Sequence, residues 1–542
     1  MRFPPIVLSV GLLVQASGSP PPSNSASVDR IFAAFNMPGS PGCALGVIHN
    51  GTFIYRKGYG EGSLELDVPL LPGSVFYMGS ISKQFTAASI VLAAEQGFLS
   101  LDDNVRKYVP ALPDYGRPIT LRQILHHTSG LRDFETLLYL SGRDASDLHS
   151  KDEMIALIVR QKGLNNPPGD AFVYSNTNYF LLAEVVHRAT GKSLAQFADE
   201  NIFRPLGMTH TRFYDDHNLV VPGRVSAYDP GRDGKFTVDW STNFDLVGAG
   251  GLMSSVDDLL AWDSNFYNNK LGKGTLIREL ETRGQLNNGK TIGYALGLEL
   301  TDYRGLPVVD HSGSLFGYRS EILRFPDQRF TVVCLCNVSS ADTNSLSRQV
   351  ADVYLAKELQ QVVSATDVPN SRFPDPSQFT GKYLDPQRHF LYSFTALSGN
   401  LMAWGGILRR LGANQFRDLG TGTITFDDSN HAMTATLIMD GETFFSGNRI
   451  QSPHLTEADL STYAGVYKSS ELDAVYNLSP EKDGLRLRAG WNLSVTLAPV
   501  APDEFNSPDL GTIVFHRDAD HRIIRLSVFT VNARDVRFDK VS

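Results

Sequence analysis

Residues 80–97 of this chain read SISKQFTAASIVLAAEQG, and this stretch decides how the rest of the sequence is interpreted. Apolar residues recur at helical spacing along one face of a predicted helix over 80–96: Ile81, Phe85, Ala88 and Leu92. Ser80 and Lys83 are about one turn apart and share a face. A serine hydroxyl needs an adjacent base to become a nucleophile, and a lysine serves when burial lowers its pKa. The stretch predicts a serine nucleophile with a lysine base, although the same spacing is also typical of an ordinary helix start.

A second stretch, residues 174–176, carries a tyrosine and an asparagine two positions apart. On extended chain the two side chains point to the same side, so both can face one cleft. Tyr174 can relay a proton between the serine and a leaving group, and Asn176 can hydrogen-bond a substrate carbonyl. The alternative is a turn asparagine beside a packed tyrosine.

A third stretch, residues 311–314, reads HSGS and lies between two predicted strands. A glycine such as Gly313 lets a substrate approach a strand edge closely. The backbone amide of Ser314 can form an oxyanion hole together with the backbone amide of Ser80. The alternative is a plain turn that contains glycine.

The three motifs occur in the order SxxK, Y-x-N and H/K-x-G, and together they resemble the signature of the penicillin-recognising serine hydrolases. The segments LSLDDNVRKYVP, ITLRQILHHTSGL and GAGGLMSSVDDLLAW also resemble landmarks of that family. The resemblance covers residues 27–365 and is to the branch of class C β-lactamases, DD-peptidases and D-aminopeptidases. It implies an α+β domain in which an antiparallel sheet with packed helices lies beside a helical lobe, with the site between them.

The resemblance also implies a role for each motif residue. Ser80 is the nucleophile, Lys83 and Tyr174 share the acid/base work, and the substrate-binding residues are Asn176, His311, Gly313 and Ser314. No metal or organic cofactor is implied. β-Lactamases of this shape carry lysine where this chain has His311, and a histidine is mostly neutral at pH 7. The chain therefore resembles the peptidase and aminopeptidase members, and strong β-lactamase activity is not expected.

Strand and helix patterns alternate within the same region. Residues 42–60 predict a hairpin with its turn at residues 49–51. The segments PVVDHSG, SEILRFP and RFTVVCLCNV predict consecutive strands of one antiparallel sheet. A helix over 351–362 is predicted to follow them.

The composition changes after residue 365. Residues 366–376 form a linker punctuated by proline, and the segments beyond it are short, β-branched and rich in turns. FTGKY at 379–383 resembles YAGVY at 463–467, which indicates an internal repeat. We predict two small antiparallel β-barrel domains, over 377–452 and 455–542.

A catalytic domain followed by two barrels resembles the architecture of the D-aminopeptidases. In those enzymes a loop of the last barrel supplies an acidic residue for the substrate ammonium. By position, the resemblance implies such a role within residues 500–510, where the candidates are Asp503, Glu504 and Asp509. The alternative is a solvated acidic turn.

The three cysteines are too few for a disulfide framework. All lie in predicted apolar strands, where cysteine is usually a small buried hydrophobic residue: Cys43, Cys334 and Cys336. A bridge from Cys43 to either of the others requires that their strands be neighbours. Neither a Cys-x2-Cys pair nor an HExxH motif occurs, so no metal site is predicted.

Residues 284–291 (GQLNNGKT) match the phosphate-loop pattern GxxxxGK[ST]. That loop needs a strand before it and a helix after it, so that backbone amides cradle a phosphate. Here a helical pattern precedes the segment and a strand pattern follows it. We therefore predict a turn and not a nucleotide site.

The overall composition excludes some partners. The 542 residues include 49 Lys and Arg against 58 Asp and Glu, a formal net charge of -9 at pH 7. This mild acidity provides no electrostatic reason to bind nucleic acid or an anionic membrane. The expected partner is a small molecule or short peptide as substrate, and a homodimer is compatible with these properties.

The first residues indicate export. A short positive start precedes an apolar run over residues 6–14 and small residues up to position 18. The run is too short to span a bilayer and has the layout of a signal peptide over 1–18. No later segment has the unbroken apolar run that an integral membrane segment requires. We expect a secreted protein, extracellular or, in a Gram-negative host, periplasmic.

Three functions are compatible with these patterns. The favoured one is a secreted serine hydrolase with an acyl-enzyme on Ser80, an aminopeptidase or amidase for short peptides or amides with a small residue, D-configured ones included. The alternatives within the same chemistry are a broad-specificity carboxylesterase and a weak β-lactamase or DD-peptidase. A non-catalytic binding protein with the same fold is the third, and the intact motif set argues against it.

Overall fold

The structure is a computed structural model, and it describes residues 23–541 except 145–146, 240–244, 361–374, 404–405, 418–421, 429–431, 440–441 and 491. The predicted signal peptide over 1–18 and most of the predicted linker over 366–376 lie outside the described residues. No helix in the described ranges combines the length and the apolarity needed to cross a membrane.

A six-stranded antiparallel sheet organises the amino-terminal domain, in the order β10-β11-β12-β13-β1-β2. Its strands are β1 (Cys43–His49), β2 (Thr52–Tyr59), β10 (Glu299–Tyr303), β11 (Leu306–Leu315), β12 (Tyr318–Phe325) and β13 (Phe330–Cys336). The predicted hairpin is present, because β1 and β2 pair as antiparallel neighbours. Asn50 and Gly51 in its turn both have positive φ, as a tight turn between twisted strands requires. The consecutive strands predicted near the end of the domain are also confirmed.

Helices cover both faces of this sheet and form a lobe beside it. They are α1 (Ser23–Ile31), α2 (Ser82–Glu95), α3 (Leu121–Leu125), α4 (Phe134–Leu140), α5 (Lys151–Val159), α6 (Asn176–Thr190), α7 (Leu194–Ala198), α8 (Arg204–Leu206), α9 (Val256–Asn268), α10 (Leu276–Leu280) and α11 (Thr343–Tyr354), whereas α12 (Glu457–Tyr463) belongs to the carboxy-terminal part of the chain. Alternate residues of β1 serve two cores: Leu45 and Val47 pack with α11, whereas Ala44 and Ile48 join the core with α9. The α+β fold predicted for this domain is confirmed.

The helix predicted over 80–96 is confirmed, with a short 3-10 turn (Gly79–Ile81) leading into α2. Residues Ser82 to Ala93 of α2 are all buried, because the helix runs between the sheet and the lobe formed with α6, α7 and α10. The burial of α2 on every side fixes the position of the 3-10 turn that precedes it, and that turn carries Ser80.

The helix predicted over 351–362 is wrong in its position. The observed helix, α11, covers Thr343–Tyr354 and starts where the Asp342 carboxylate accepts a hydrogen bond from the Ser345 amide at 3.0 Å. Leu346 and Val350 bury its apolar face against the sheet. The prediction followed the apolar run and missed this cap.

Cys43 and Cys336 are directly opposite each other in the paired strands β1 and β13, and they form a disulfide. The simple prediction of three buried thiols is therefore wrong for these two residues and correct for Cys334, which is free and buried. The bridge depends on the pairing of strands that lie at opposite ends of the domain in sequence.

Two β-structures follow, as predicted. The first is a nine-stranded, nearly closed sheet of β14 (Gly381–Asp385), β15 (Phe390–Leu397), β16 (Asn400–Ala403), β17 (Gly406–Ile407), β18 (Arg409–Arg410), β19 (Gln415–Arg417), β20 (Thr423–Asp427), β21 (Thr434–Met439) and β22 (Glu442–Ile450). The second is a closed barrel of β23 (Gly465–Ser469), β24 (Ala474–Glu481), β25 (Gly484–Ala489), β26 (Leu493–Ala501), β27 (Glu504–Ser507), β28 (Gly511–Arg517), β29 (Ile523–Phe529) and β30 (Val536–Lys540). We refer to the latter as the second barrel.

Seven short strands complete the amino-terminal domain in small sheets. They are β3 (Glu61–Ser63), β4 (Val68–Pro69), β5 (Phe76–Tyr77), β6 (Arg212–Phe213), β7 (Tyr228–Pro230), β8 (Phe236–Val238) and β9 (Leu252–Ser254). The segment that matches the phosphate-loop pattern is a turn, in which the Gly289 amide donates to the Leu286 carbonyl. The segment follows α10, an isolated bridge pairs its residues Gln285 and Thr291, and the next element is the strand β10, so the predicted inverted context is observed.

Candidate active site

Ser80 lies at the junction of α2 and the strand β11. The 3-10 turn that carries it passes so close to β11 that a side-chain carbon on Gly79 would stand 2.6 Å from the Ser314 amide nitrogen. A side-chain carbon on Gly313 would likewise stand 3.0 Å from the Ser80 amide nitrogen. Two glycines therefore permit the contact that brings both predicted oxyanion-hole amides to one place.

Lys83 is fully buried, and its Nζ has three acceptors. It donates to the Ser80 Oγ at 3.0 Å, to the Asn176 Oδ1 at 2.8 Å and to the Ala249 carbonyl at 2.7 Å. Burial lowers the pKa of Lys83 to about 7, although nearby carboxylates partly oppose this shift. A neutral Lys83 amine next to Ser80 can accept the hydroxyl proton.

Tyr174 and Asn176 reach the site from the start of α6. The Tyr174 phenol hydrogen-bonds Ser80, and its ring centroid lies 4.9 Å from the Lys83 Nζ. Burial raises the pKa of Tyr174 well above its ordinary value, so the phenol keeps its proton. The structure thus brings together the serine, the lysine and the Y-x-N pair that the sequence motifs singled out.

His311 is buried on β11 and is held by two hydrogen-bonding partners. Its Nδ1 lies 2.6 Å from the Ser312 carbonyl, and its Nε2 lies 3.1 Å from the Tyr294 hydroxyl. Burial, together with the charge of Lys83, lowers the pKa of His311 to about 4. His311 is therefore neutral at pH 7 and offers no cation for a substrate carboxylate. Ser314, farther along β11, is exposed.

His127 supports the site and was not among the predicted site residues. Its ring stacks on Tyr174 with centroids 4.3 Å apart. Its Nδ1 accepts from the Ser175 amide at 3.2 Å and lies 3.1 Å from the Asn178 side-chain nitrogen. Burial lowers the pKa of His127 well below its ordinary value, so the ring is neutral where it packs against Tyr174.

Two acidic residues at the start of α4 are the main feature that sequence reasoning missed. The Asp133 carboxylate caps α4 and accepts from the Asn176 amide at 2.6 Å. Glu135, in the first turn of the helix, hydrogen-bonds the Asn176 side chain and is only half-buried. Burial of the carboxylate and then the charge of Asp133 raise the pKa of Glu135 to about 7. The signal was present in LRDFETL, which directly follows the family-like HHTSG.

The acidic candidates of the second barrel have other partners. Asp503 pairs with Arg517 at 2.8 Å and accepts from the Tyr463 hydroxyl at 2.9 Å. Glu504 lies 3.3 Å from the His389 Nδ1. Asp509 is exposed, and its charge reaches Tyr139 on α4. In the described ranges, no hydrogen bond or ion pair joins any of the three to Ser80, Lys83 or Asn176.

One group of residues has a spacing that suits a metal ion, and it lies in the core between the sheet and α11. Within the described part of the chain, the Sγ atoms of Cys43, Cys334 and Cys336 all lie within 4.8 Å of one another. Two of these atoms are joined in the disulfide. The chemistry available at Ser80 is that of a serine, a lysine, a tyrosine and backbone amides.

Comparison with known proteins bears on this geometry. The family model described as Beta-lactamase matches residues 28–355. Penicillin-binding protein 4* of Bacillus subtilis is 30% identical over 304 residues, which cover 53% of this chain and 66% of that protein. A D-aminopeptidase of Brucella canis is 26% identical over 532 residues, covering 92% of this chain and 96% of that protein.

A solved structure shows the same fold. The octameric penicillin-binding protein homologue from Pyrococcus abyssi superposes with a TM-score of 0.57 at 22% sequence identity. The match covers 77% of this chain and 96% of that chain.

Proposed function

The chain belongs to the Beta-lactamase family of serine hydrolases, and we propose that it is an aminopeptidase or amidase that cleaves short peptides or amides with a free amino group. The nucleophile is Ser80, and the reaction passes through an acyl-enzyme. Substrates carry a small residue next to the scissile bond, and D-configured residues are accepted. The similarity to a D-aminopeptidase over 92% of the chain supports this choice.

The arrangement around Lys83 supports the acyl-enzyme route. Neutral Lys83 takes the proton of the Ser80 hydroxyl as the oxygen attacks the substrate carbonyl carbon. The amides of Ser80 and Ser314 donate to the oxyanion that forms. Tyr174 gives its proton to the leaving amine as the carbon–nitrogen bond breaks, and the proton held by Lys83 replaces it. In the second step Lys83 accepts the proton of the attacking water and returns it to the Ser80 oxygen as the ester bond breaks.

The position of Glu135 carries the choice of an amine-bearing substrate. Its carboxylate contacts the Asn176 side chain, and Asn176 is the residue assigned to the substrate carbonyl. An ammonium group two bonds from that carbonyl carbon therefore falls within reach of Glu135. A charge-assisted hydrogen bond to an ionised carboxylate is about twice as strong as a neutral one. This acid replaces, within our proposal, the barrel acids expected from the sequence.

We also propose that the protein is exported after removal of residues 1–18. The apolar run and the small residues that follow it support this localisation. The disulfide between Cys43 and Cys336 supports an oxidising compartment, since such bonds are rare where thiols are kept reduced. The amino-terminal sequence of the secreted material tests the cleavage site.

The function is tested with purified protein and its Ser80→Ala variant. The substrates are D- and L-alanine p-nitroanilides, a short-chain p-nitrophenyl ester and a chromogenic cephalosporin. We expect release from at least one anilide, abolished by Ser80→Ala, with the D-form preferred. Hydrolysis of the ester alone would replace this proposal by a carboxylesterase, and equal behaviour of both proteins on all four would end the hydrolase interpretation of Ser80.

A further inference from the structure

A buried arginine of the catalytic lobe, Arg132, lies at its contact with the second barrel. The Arg132 guanidinium donates to the Arg534 carbonyl at 3.0 Å and to the Asp535 carbonyl at 2.8 Å, both in the segment that joins β29 to β30. It also pairs with the Glu471 carboxylate at 2.8 Å, in the segment between β23 and β24. Carbonyl and carboxylate groups of the barrel thus bind a side chain that belongs to the catalytic domain.

Glu471 is held beside Arg132 by burial and by a second hydrogen bond. The side chains of the pair are 2% and 4% exposed, and the Glu471 carboxylate also accepts from the Lys162 amide at 2.6 Å. Removing one member of a buried ion pair leaves an uncompensated charge, which is far more costly than loss of a surface pair. The contact is therefore a fixed point between the two domains.

The next residue along the chain extends the contact. The Asp133 amide donates to the carbonyl of Asn532, in the barrel segment before β30, at 3.0 Å. Residues 132 and 133 are consequently held by the second barrel through both a side chain and the backbone.

The same two residues hold the start of α6. The Arg132 carbonyl accepts from the Thr177 hydroxyl at 2.7 Å, and the Asp133 carboxylate accepts from the Asn176 amide at 2.6 Å. Asn176 in turn accepts from the Lys83 Nζ at 2.8 Å. A continuous series of hydrogen bonds therefore connects Glu471 of the barrel with the lysine next to the nucleophile.

We propose that Glu471 is a positioning residue for hydrolysis: through Arg132 and Asp133 it fixes Asn176 and, with it, Lys83. This inference rests on the proposed function, since Asn176 and Lys83 matter only if Ser80 is the nucleophile. The second barrel then contributes to the active site through this contact with the catalytic domain. Loss of the contact between Glu471 and Arg132 lowers kcat more than it raises KM, because the misplaced groups act at the reacting bond.

The test uses the full chain with Glu471→Gln, and Glu481→Gln as its matched control. Glu481 lies on the same barrel and pairs with Arg486 at 2.7 Å, with no contact to the catalytic domain among the described residues. For Glu471→Gln we expect kcat to fall about tenfold with KM within about twofold of the parent, as for a small misplacement of reacting groups. Hydrogen exchange at the Asn176 amide should also become about tenfold faster. The control should match the parent in both measurements.

A second variant, Glu471→Asp, keeps the charge on a shorter side chain. It should fall between the parent and Glu471→Gln in both measurements, and it replaces Glu471→Gln if that variant does not fold. Equal kcat and equal exchange at Asn176 in the Glu471 and Glu481 variants would overturn the proposal. If Ser80→Ala leaves hydrolysis unchanged, the proposed function fails, whereas the exchange measurement still decides whether Glu471 fixes Asn176.

Discussion

Lys83 donates a hydrogen bond to the Ser80 Oγ at 3.0 Å from a position with no solvent exposure. Because the two residues are three apart at the start of one buried helix, the contact is set by helix geometry and survives side-chain motion elsewhere. The desolvation that accompanies it lowers the pKa of Lys83 to about 7. A lysine that is half neutral near pH 7 is a usable base, and a solvated lysine is not.

The first prediction concerns pH. Lys83 acts as a base only when it has lost its proton, so kcat/KM for a neutral ester should rise with pH through an apparent pKa of about 7 and then level off. A pH–rate profile from pH 5 to 9 measures this limb. A limb at the ordinary pKa of lysine, above 9, would contradict the role of burial. Lys83→Met should lower kcat/KM by about a thousandfold across the range, as expected for loss of a general base.

The second prediction concerns recognition of the substrate amine. Above pH 7, where Glu135 is ionised, Glu135→Gln removes the negative charge beside Asn176, and it should raise KM for an alanine p-nitroanilide about tenfold, the value of a charge-assisted hydrogen bond. Because Glu135 also raises the pKa of Lys83, the variant's kcat/KM for an ester without an amino group should stay within about twofold of the parent only above the pH range in which Lys83 titrates. The control is Glu153→Gln, which removes a half-exposed carboxylate paired with Arg143 on the same lobe at 2.8 Å. An equal loss on both substrates would show that Glu135 is needed for the site itself and not for the amine.

The catalytic motifs could be found in the sequence because local geometry alone creates them. Ser80 and Lys83 share one helix turn, and Tyr174 and Asn176 share one short segment, so spacing predicts that each pair faces one side. The fold of the amino-terminal domain was equally accessible, since strand and helix periodicity recur along it. What joins these pairs is tertiary, and only the family resemblance suggested it.

Most of the features that the sequence did not predict depend on contacts between distant segments; the start of α11 is the exception, because its cap at Asp342 is local. Glu135 reaches the site because the cap of α4 packs against the start of α6, and neither segment indicates the other. The disulfide follows from the pairing of β1 with β13, and the placement of α11 follows from a cap at Asp342. The search for an acid in residues 500–510 relied on a position in related enzymes, where loops vary most.

The third prediction tests the contact between the nucleophile turn and β11. Gly313→Ala would put a carbon 2.1 Å from the Met78 carbonyl oxygen and 3.0 Å from the Ser80 amide, so the backbone must shift. We expect a loss of about 1–3 kcal/mol in the free energy of unfolding, typical of overpacking. We also expect kcat to fall at least about tenfold, because the two oxyanion-hole amides separate.

The matched control for that change is Gly412→Ala, in the turn between β18 and β19. Its nearest neighbour would be at 3.8 Å, an ordinary contact, and its backbone does not need positive φ. Denaturant unfolding and steady-state kinetics on the ester distinguish the two variants. Equal stability and equal kcat for both would show that β11 does not press on the Ser80 turn.

The fourth prediction concerns the disulfide and separates stability from chemistry. Cys43 and Cys336 join strands that are distant in sequence, and their bond closes a long loop of the unfolded chain, so its loss should lower the free energy of unfolding by about 2–5 kcal/mol. The double variant Cys43→Ala/Cys336→Ala should unfold at lower denaturant but keep kcat and KM within about twofold, since the bond lies in the core with α11, on the face of the sheet away from α9. Cys334→Ala is the control, because it removes a free buried thiol and leaves the bond in place. If the double variant and the control unfold at the same denaturant concentration, the bond contributes nothing to stability. If the double variant is fully folded but has a lower kcat, the disulfide affects the geometry at Ser80 as well as stability.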